Sequence, residues 1–519
     1  MTGVEAVPSK LSHPALTVVP RLGASPHVRK YFQVVGLSLP NNYLVHNSSL
    51  NNLARGVLTR VLMVKGQPTP KPLEGVYSRR LRYFRNHVVR MFNSTTPVDR
   101  QSFVDYYSGR KRTIYQQAVD SLATSSIRRR DASIRAFVKA EFINCDEKPD
   151  PDPRVISPRD PRYNVEVGRF LRPIEHRIYG AIARIFGETT VLKGFNSQQT
   201  GAIFVKKWGK YRKPVAIGLD ASRFDQHVSV DALTWEHSVY NGIYHSSELK
   251  KLLSWQLNNS VTGYTKDGKL SYVTEGCRMS GDMNTALGNC LIMCALVHCY
   301  AKERDVQISL ANNGDDCTVI MEQSDLLKFQ FGLQDWFLEM GFSMKVEDPV
   351  YDIEGIEFCQ THPVFVDDTY IMVRNFPKAI SKDCLSLKCL DQPKICKSWM
   401  DAVGQGGLSL TGGIPVYQDF YSSFIRASGS ISVPHKRQVR SARKKRQADV
   451  ELTGGLAWLS AGMNRCYRPT ISAKTRHSFY LAFGTTPEEQ QALEAVYQHS
   501  IWSYRLENFG RLVHLPRWA

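Results

Sequence analysis

The segment NNGDDCTVI, residues 312–320, sets two aspartates behind a glycine and runs at once into an apolar, β-prone stretch. Adjacent carboxylates repel and are costly to desolvate, so a pair at the mouth of a buried strand requires a compensating cation or a solvated turn. A hairpin tip that holds a metal ion meets both demands. An ordinary Asn-Gly-Asp turn meets only the second, and a chance Gly-Asp-Asp is expected in roughly one in ten chains of this length. The tripeptide needs company before it carries a function.

That company lies upstream. KPVAIGLD (213–220) reads as a strand leaving a basic loop, with Asp220 at its end and Asp225 five residues on, after the chain turns. If this strand pairs beside the hairpin, Asp220 and Asp315 project at one edge of one sheet. Two Mg²⁺ ions held there by carboxylates and substrate phosphates would form the clamp used for in-line nucleotidyl transfer, offsetting the charge cost. Between the two stretches, SGDMNTALGN (280–289) has the spacing S-G-x3-T-x3-N. Chance supplies that spacing in roughly one in a hundred chains or fewer. It reads as a helix N-terminus with Ser280 as cap and Gly281 in the turn, and Thr285 and Asn289, one turn apart, share a face. A Ser-Gly turn would admit a nucleic-acid backbone, and Asn289 can hydrogen-bond a ribose hydroxyl.

Around these segments the pattern is α+β. Residues 231–257 read as helical, 279–304 as a turn entering a strongly apolar helix, and 308–321 as two strands about a tight turn. Residues 324–341 read as one helix, capped by Ser324 and ended by Gly341. The stretch 146–164 contains five prolines and is expected to be extended rather than helical. Residues 1–50 show no sustained periodicity and read as a loosely organised arm.

Lys and Arg outnumber Asp and Glu by 67 to 48, a net charge of +19, and the excess is clumped at 78–90, 127–130, 205–213 and 435–446. A polyanion is the natural partner, either nucleic acid or an anionic membrane surface. A composition of 42% hydrophobic and 22% charged residues excludes a disordered tail. Eleven cysteines without paired spacing, several inside apolar runs such as NCLIMCALVHCY, read as buried thiols in a reducing compartment, and no zinc site is expected. The N-terminus lacks a signal-peptide layout, and the longest apolar run is shorter than the ~20 residues of a spanning helix. No transmembrane segment is expected.

The order Asp220…Asp225, Ser280-Gly281…Thr285…Asn289, Gly314-Asp315-Asp316 resembles motifs A, B and C of viral RNA-dependent RNA polymerases. The wording GLDASRFDQHVS, CRMSGDMNTALGNC and NGDDC is similar to that of tombusvirus-like plant virus replicases, including carmovirus and umbravirus-like members. The likeness extends to FVKAEF, PRVISPRDPRYNVEVGRFLRPIEH, GFSMKVEDPV and IEFCQTHPVF, over roughly residues 50–500. It implies a right-hand α+β fold: an arm at 1–50, mainly fingers at 51–213, palm with inserted fingers segments at 214–375, and mainly thumb at 376–519. Asp220 and Asp315 would be the principal metal ligands, with Asp316 closer by or one shell out, for two Mg²⁺ ions that Mn²⁺ can replace. Lys139, Lys148 and Arg154 resemble motif F, whose cations hold the triphosphate. Lys345 stands where motif D carries a lysine that protonates pyrophosphate. Phe358, Cys359 and Gln360 resemble motif E, which supports the growing 3′ end, although any Phe-Cys pair also suits a core.

The implied activity is replication of a positive-strand RNA genome from NTPs, with Asp225 and Asn289 at the ribose 2′-hydroxyl. RNA template and product, a viral auxiliary replication protein and host factors are the implied partners, and the host cytoplasm at membrane-associated complexes is the implied location. Two rivals stay open at this point. Another metal-dependent phosphoryl or glycosyl transferase explains the aspartates but not the Ser-Gly-x3-Thr-x3-Asn block, and a non-enzymatic RNA-binding or encapsidation protein explains the charge but not the acids.

Overall fold

A computed structural model describes residues 1–34, 36, 39–429 and 462–502. The basic cluster at 435–446 lies outside the described residues.

Four antiparallel strands form the centre, in the order Ile308–Asn312, Asp316–Glu322, Pro214–Ala221, Met344–Val346. Side chains alternate between the two faces of a strand. Val215, Ile217, Leu219 and Ala221 therefore point one way, with Cys317, Val319 and Met321, into the largest core of the molecule. Helices Pro161–Phe186, Val230–Tyr244 and Thr285–Glu303 complete that core. Ala216 and Ile320 point the other way, against Phe204, Phe358 and Met372. Both faces of the sheet are covered, which is why these strands read as nearly continuous apolar runs.

A five-stranded sheet stands beside this centre. Its order is Leu16–Pro20, Gly268–Glu275, Asn258–Thr265, Ile134–Val138, Val155–Ile156, packed on helix Leu50–Val57. Toward the C-terminus, hairpin Thr361–Val366 and Thr369–Arg374 packs with helices Pro393–Thr411, Tyr417–Ser428, Ala473–Phe483 and Pro487–His499.

The structure corrects three expectations. The first fifty residues are not loosely organised: Leu16–Pro20 is a full strand of the five-stranded sheet, and Phe32–Gln33 pairs with Leu385–Ser386 beside the C-terminal helices. Arg29 ties this arm down further by donating to the carbonyls of His46 (2.7 Å), Val138 (2.6 Å) and Lys139 (3.0 Å). The proline-rich stretch does not stay extended to residue 164, because Pro161 opens helix Pro161–Phe186, where its missing N–H costs nothing and Asp160 caps the end. Residues 324–341 are not one helix. Gly332, in the left-handed region (φ 70°), separates Leu326–Gln330 from Leu333–Glu339, and Ser324 lies in a preceding 3₁₀ turn. The expectation of no transmembrane segment meets one candidate among the described residues: Thr285–Glu303 is long and apolar enough to cross a membrane by length and composition, but 78% of its most apolar window is buried inside the fold. A helix that is apolar all round suits a core as well as a bilayer.

Candidate active site

The register of the central sheet sets Asp316 directly opposite Asp220. By strand alternation both lie on the face away from the largest core. Asp315 stands exposed at the hairpin tip. The turn depends on Gly314, which adopts φ 94°, and on the buried Asn312, whose Nδ2 donates to the Gly314 carbonyl at 2.6 Å. Asn313 N–H closes the turn on the Asp316 carbonyl at 2.9 Å.

Burial pushes the Asp316 carboxyl up to about 6, and the charges of Asp315 and Asp220 add to the rise. The Cys359 N–H opposes it by donating to Asp316 Oδ2 at 2.8 Å. Asp316 thus senses the charges of both Asp315 and Asp220, and a cation beside it would offset them. Among the described residues no three His, Cys, Asp or Glu side chains already converge as a ready-made metal site. Mg²⁺ rarely uses such a cage, taking one or two carboxylates together with substrate phosphates, so an all-aspartate donor set fits it.

Lys345 faces Asp220 across the other edge of the same strand and is exposed. Phe358 is buried against Phe204 at 5.3 Å between ring centroids. Cys359 and Gln360 both take left-handed φ, 51° and 59°, in the turn that aims the Cys359 N–H at Asp316.

Asp225 and Asn289 meet: Asn289 Nδ2 donates to Asp225 Oδ1 at 2.8 Å. Burial raises the Asp225 carboxyl to about 6, against the opposing pull of Asn289 and Arg278. The Ser-Gly turn differs from expectation. Ser280 does not cap the helix, which begins at Thr285 after Asn284; its hydroxyl donates to the Val155 carbonyl at 3.3 Å and accepts from the Ser157 N–H at 3.2 Å. The close approach that requires Gly281 is to Pro158 of the same chain, whose Cα would lie 2.5 Å from an added Cβ. Thr285 Oγ1 donates to the carbonyls of Met279 and Asp282, bracing the turn from the helix side.

Of the three upstream cations, Lys139 and Arg154 come together, both on Glu141, at 2.8 Å and 3.4 Å. Lys148 is exposed on the segment between them. A cavity of about 570 Å³ is lined by Asp225, Thr285, Asn289 and Asp315, together with Arg172, Glu175 and Lys193. Lys193 escaped sequence reasoning; its Nζ donates to Asn313 Oδ1 at 2.7 Å and grips the hairpin tip. VLKGFN carries no motif that would single it out. Arg278 and Glu236 also escaped, one lying inside a quoted motif and the other in the interior of helix Val230–Tyr244.

A sheet that sets Asp220 opposite Asp316 beside the exposed Asp315, next to a cavity lined by acids as well as by the cations Lys111, Arg172 and Lys193, defines a class of site suited to polyphosphate chemistry. The profile of the viral RNA dependent RNA polymerase family matches residues 16–504, and the chain belongs to that family. It is 42% identical to the RNA-directed RNA polymerase of Turnip crinkle virus, over 96% of this chain and 63% of that protein. Identity to the RNA-directed RNA polymerase of Tobacco necrosis virus (strain A) is 45%, over 94% of this chain and 66% of the relative. For that of Tomato bushy stunt virus (strain Cherry) it is 44%, over 90% and 55%. These are tombusvirus-like and carmovirus-like plant viruses, the group whose motif wording the sequence resembles. The chain spans 55% to 66% of the length of these three relatives.

Proposed function

We propose that this chain is the RNA-dependent RNA polymerase of a positive-strand RNA plant virus, extending an RNA 3′ end with NTPs. The observation that carries the reading is the register pairing of Asp220 with Asp316 beside the exposed Asp315, which lines one cavity with Asn289 and Asp225. The 3′-hydroxyl oxygen attacks the α-phosphorus, the α–β P–O bond breaks and pyrophosphate leaves. When bound with the triphosphate, two Mg²⁺ ions supply activation of the hydroxyl and neutralisation of the leaving charge. The chain's own residues do the rest. Asp220, Asp315 and Asp316 would hold those ions, Lys139 and Arg154 meet the triphosphate, joined by Lys148, and Lys345 protonates the departing pyrophosphate. Asp225 and Asn289 read the ribose 2′-hydroxyl, the group that separates NTPs from dNTPs. Ser280, Gly281 and Thr285 shape the turn that carries Asn289.

In this reading the four-stranded sheet is the palm, within 214–375. The five-stranded sheet, apart from the arm's edge strand Leu16–Pro20, belongs to the fingers (51–213 with strands inserted from the palm region), and 376–519 is mainly thumb. The arm at 1–50 links fingers to thumb. RNA, NTPs, a viral auxiliary protein and host factors are its partners, and that auxiliary protein would bring it to membrane-associated complexes in the host cytoplasm. Primer extension on an RNA template, comparing NTPs with dNTPs, tests the proposal. Template-directed extension with NTPs is expected; RNA binding without extension, or transfer without a template, would overturn it in favour of a binding protein or a different transferase.

A further inference from the structure

We infer that Arg278 is a positioning residue that fixes the orientation of the Asn289 side-chain amide, with Glu236 as its buried anchor. The inference rests on the reading of Asn289 as a ribose contact. Arg278 is 2% exposed and donates in two directions, from Nε to Asn289 Oδ1 at 3.0 Å and from Nη2 to Glu236 Oε2. A guanidinium only donates and a carboxylate only accepts. Between Arg278 and Asp225, Asn289 therefore has one workable orientation, with Oδ1 toward Arg278 and Nδ2 toward Asp225. A flipped amide would face N–H to N–H on one side and oxygen to carboxylate on the other. Arg278 also holds the second partner, since its backbone N–H donates to the Asp225 carbonyl at 2.8 Å.

The anchor is built with care. Glu236 is fully buried, and its Oε1 accepts from Asn284 Nδ2 at 2.6 Å and from the Tyr240 hydroxyl at 2.8 Å. Asn284 stands at the N-cap of helix Thr285–Glu303 without capping it, because its side chain is drawn inward to Glu236 and Gln256. Room for the ion pair under that helix comes from Gly288: an added Cβ would lie 2.3 Å from Arg278 Nη2 and 2.4 Å from Glu236 Oε1. A buried ion pair is weak as a source of stability, since desolvation offsets its attraction. What this one provides is a rigid donor aimed at one oxygen.

Arg278→Lys separates the roles. Lysine keeps a buried cation for Glu236 but lacks the planar fork that serves two acceptors in fixed directions. The readout is the ratio of kcat/KM for CTP to that for dCTP, measured on one preparation so that the active fraction cancels. The ratio is expected to fall about tenfold, as for one lost hydrogen bond to a charged group. In an Asn289→Ala background, Arg278→Lys should then change it no further. Gly288→Ala, which displaces the pair while keeping every polar group, should lower the ratio too and serves if Arg278→Lys yields no folded enzyme. A wild-type ratio in Arg278→Lys or Gly288→Ala alongside a lowered ratio in Asn289→Ala overturns the positioning role alone, as does an equal loss for CTP and dCTP. A wild-type ratio in Asn289→Ala itself overturns the ribose reading beneath it.

Discussion

The central sheet and the N-terminal fifty residues reach order by opposite routes. In the sheet, each strand announces itself: Val215, Ile217 and Leu219 are buried, and the acids fall where alternation turns them away from the core. The arm has no such pattern. It is ordered by what it borrows, a strand partner at Gly268–Glu275, another at Leu385–Ser386, and three carbonyls capped by Arg29. The sheet holds groups whose chemistry depends on charge and position. The arm holds together parts of the chain far apart in sequence. Substitutions in the first should cost rate with little cost in stability, and substitutions in the second the reverse.

The largest effect is expected for Asp315→Asn. The exposed tip loses a charge but no packing, so nucleotide addition should fall by several orders of magnitude while RNA binding and the thermal midpoint stay close to wild type. Gel-shift and single-nucleotide extension on the same preparation check both halves, and a matching loss of binding would blur the contrast. Next comes Asn289→Ala. An unsatisfied polar group in a partly desolvated site costs ~1–3 kcal/mol, so kcat/KM for NTPs should drop about tenfold to a few hundredfold. Discrimination against dCTP should narrow with it, as steady-state incorporation of CTP and dCTP would show.

On the arm, Arg29→Ala leaves the Val138 and Lys139 carbonyls without their donor and should destabilise the fold by about 2 kcal/mol. Denaturant unfolding measures this, and kcat per folded molecule should be little changed. A lost kcat with unchanged stability would reverse the assigned roles.

The smallest effect is a pH dependence within the site. Asp225 ionises in the folded chain at about 6, above the ordinary carboxylate value. A raised folded pKa means the native state binds more protons than the unfolded state between about 4 and 6, so this group's stability contribution is present at low pH and lost as pH rises through 6. Asp225→Asn should therefore gain stability relative to wild type as pH rises from about 4 through 6, with the advantage fading toward pH 4. Thermal melts of metal-free protein across that range would show it; an advantage that grows as pH falls would contradict the sign.

Much of the site was legible because it obeys local rules. Like charges beside an apolar run at 315–320, a strand ending in Asp220, and Thr285 and Asn289 one helical turn apart can all be read without knowing what packs where. What stayed hidden depends on distant partners. Ser280 has a cap-like sequence position, but its hydroxyl is taken by Val155 and Ser157, so the helix starts later, at Thr285. Pro161 looked like one more breaker in a proline-rich loop, yet at a first helical position the same ring favours a helix. Arg278 and Glu236 are single charges in otherwise unremarkable segments, and only tertiary packing turns them into a pair beneath Asn289.

The central claim is that strand Pro214–Ala221 and the hairpin tip form one catalytic unit, joined by the Asp220–Asp316 register. Single-nucleotide extension by Asp220→Asn, Asp315→Asn and the double variant tests it most directly. Groups that act as a unit are strongly non-additive, so each single variant should fall to nearly the same floor and the double variant no lower. Losses that multiply, or wild-type extension by either single variant, would show that the two aspartates do not serve one centre.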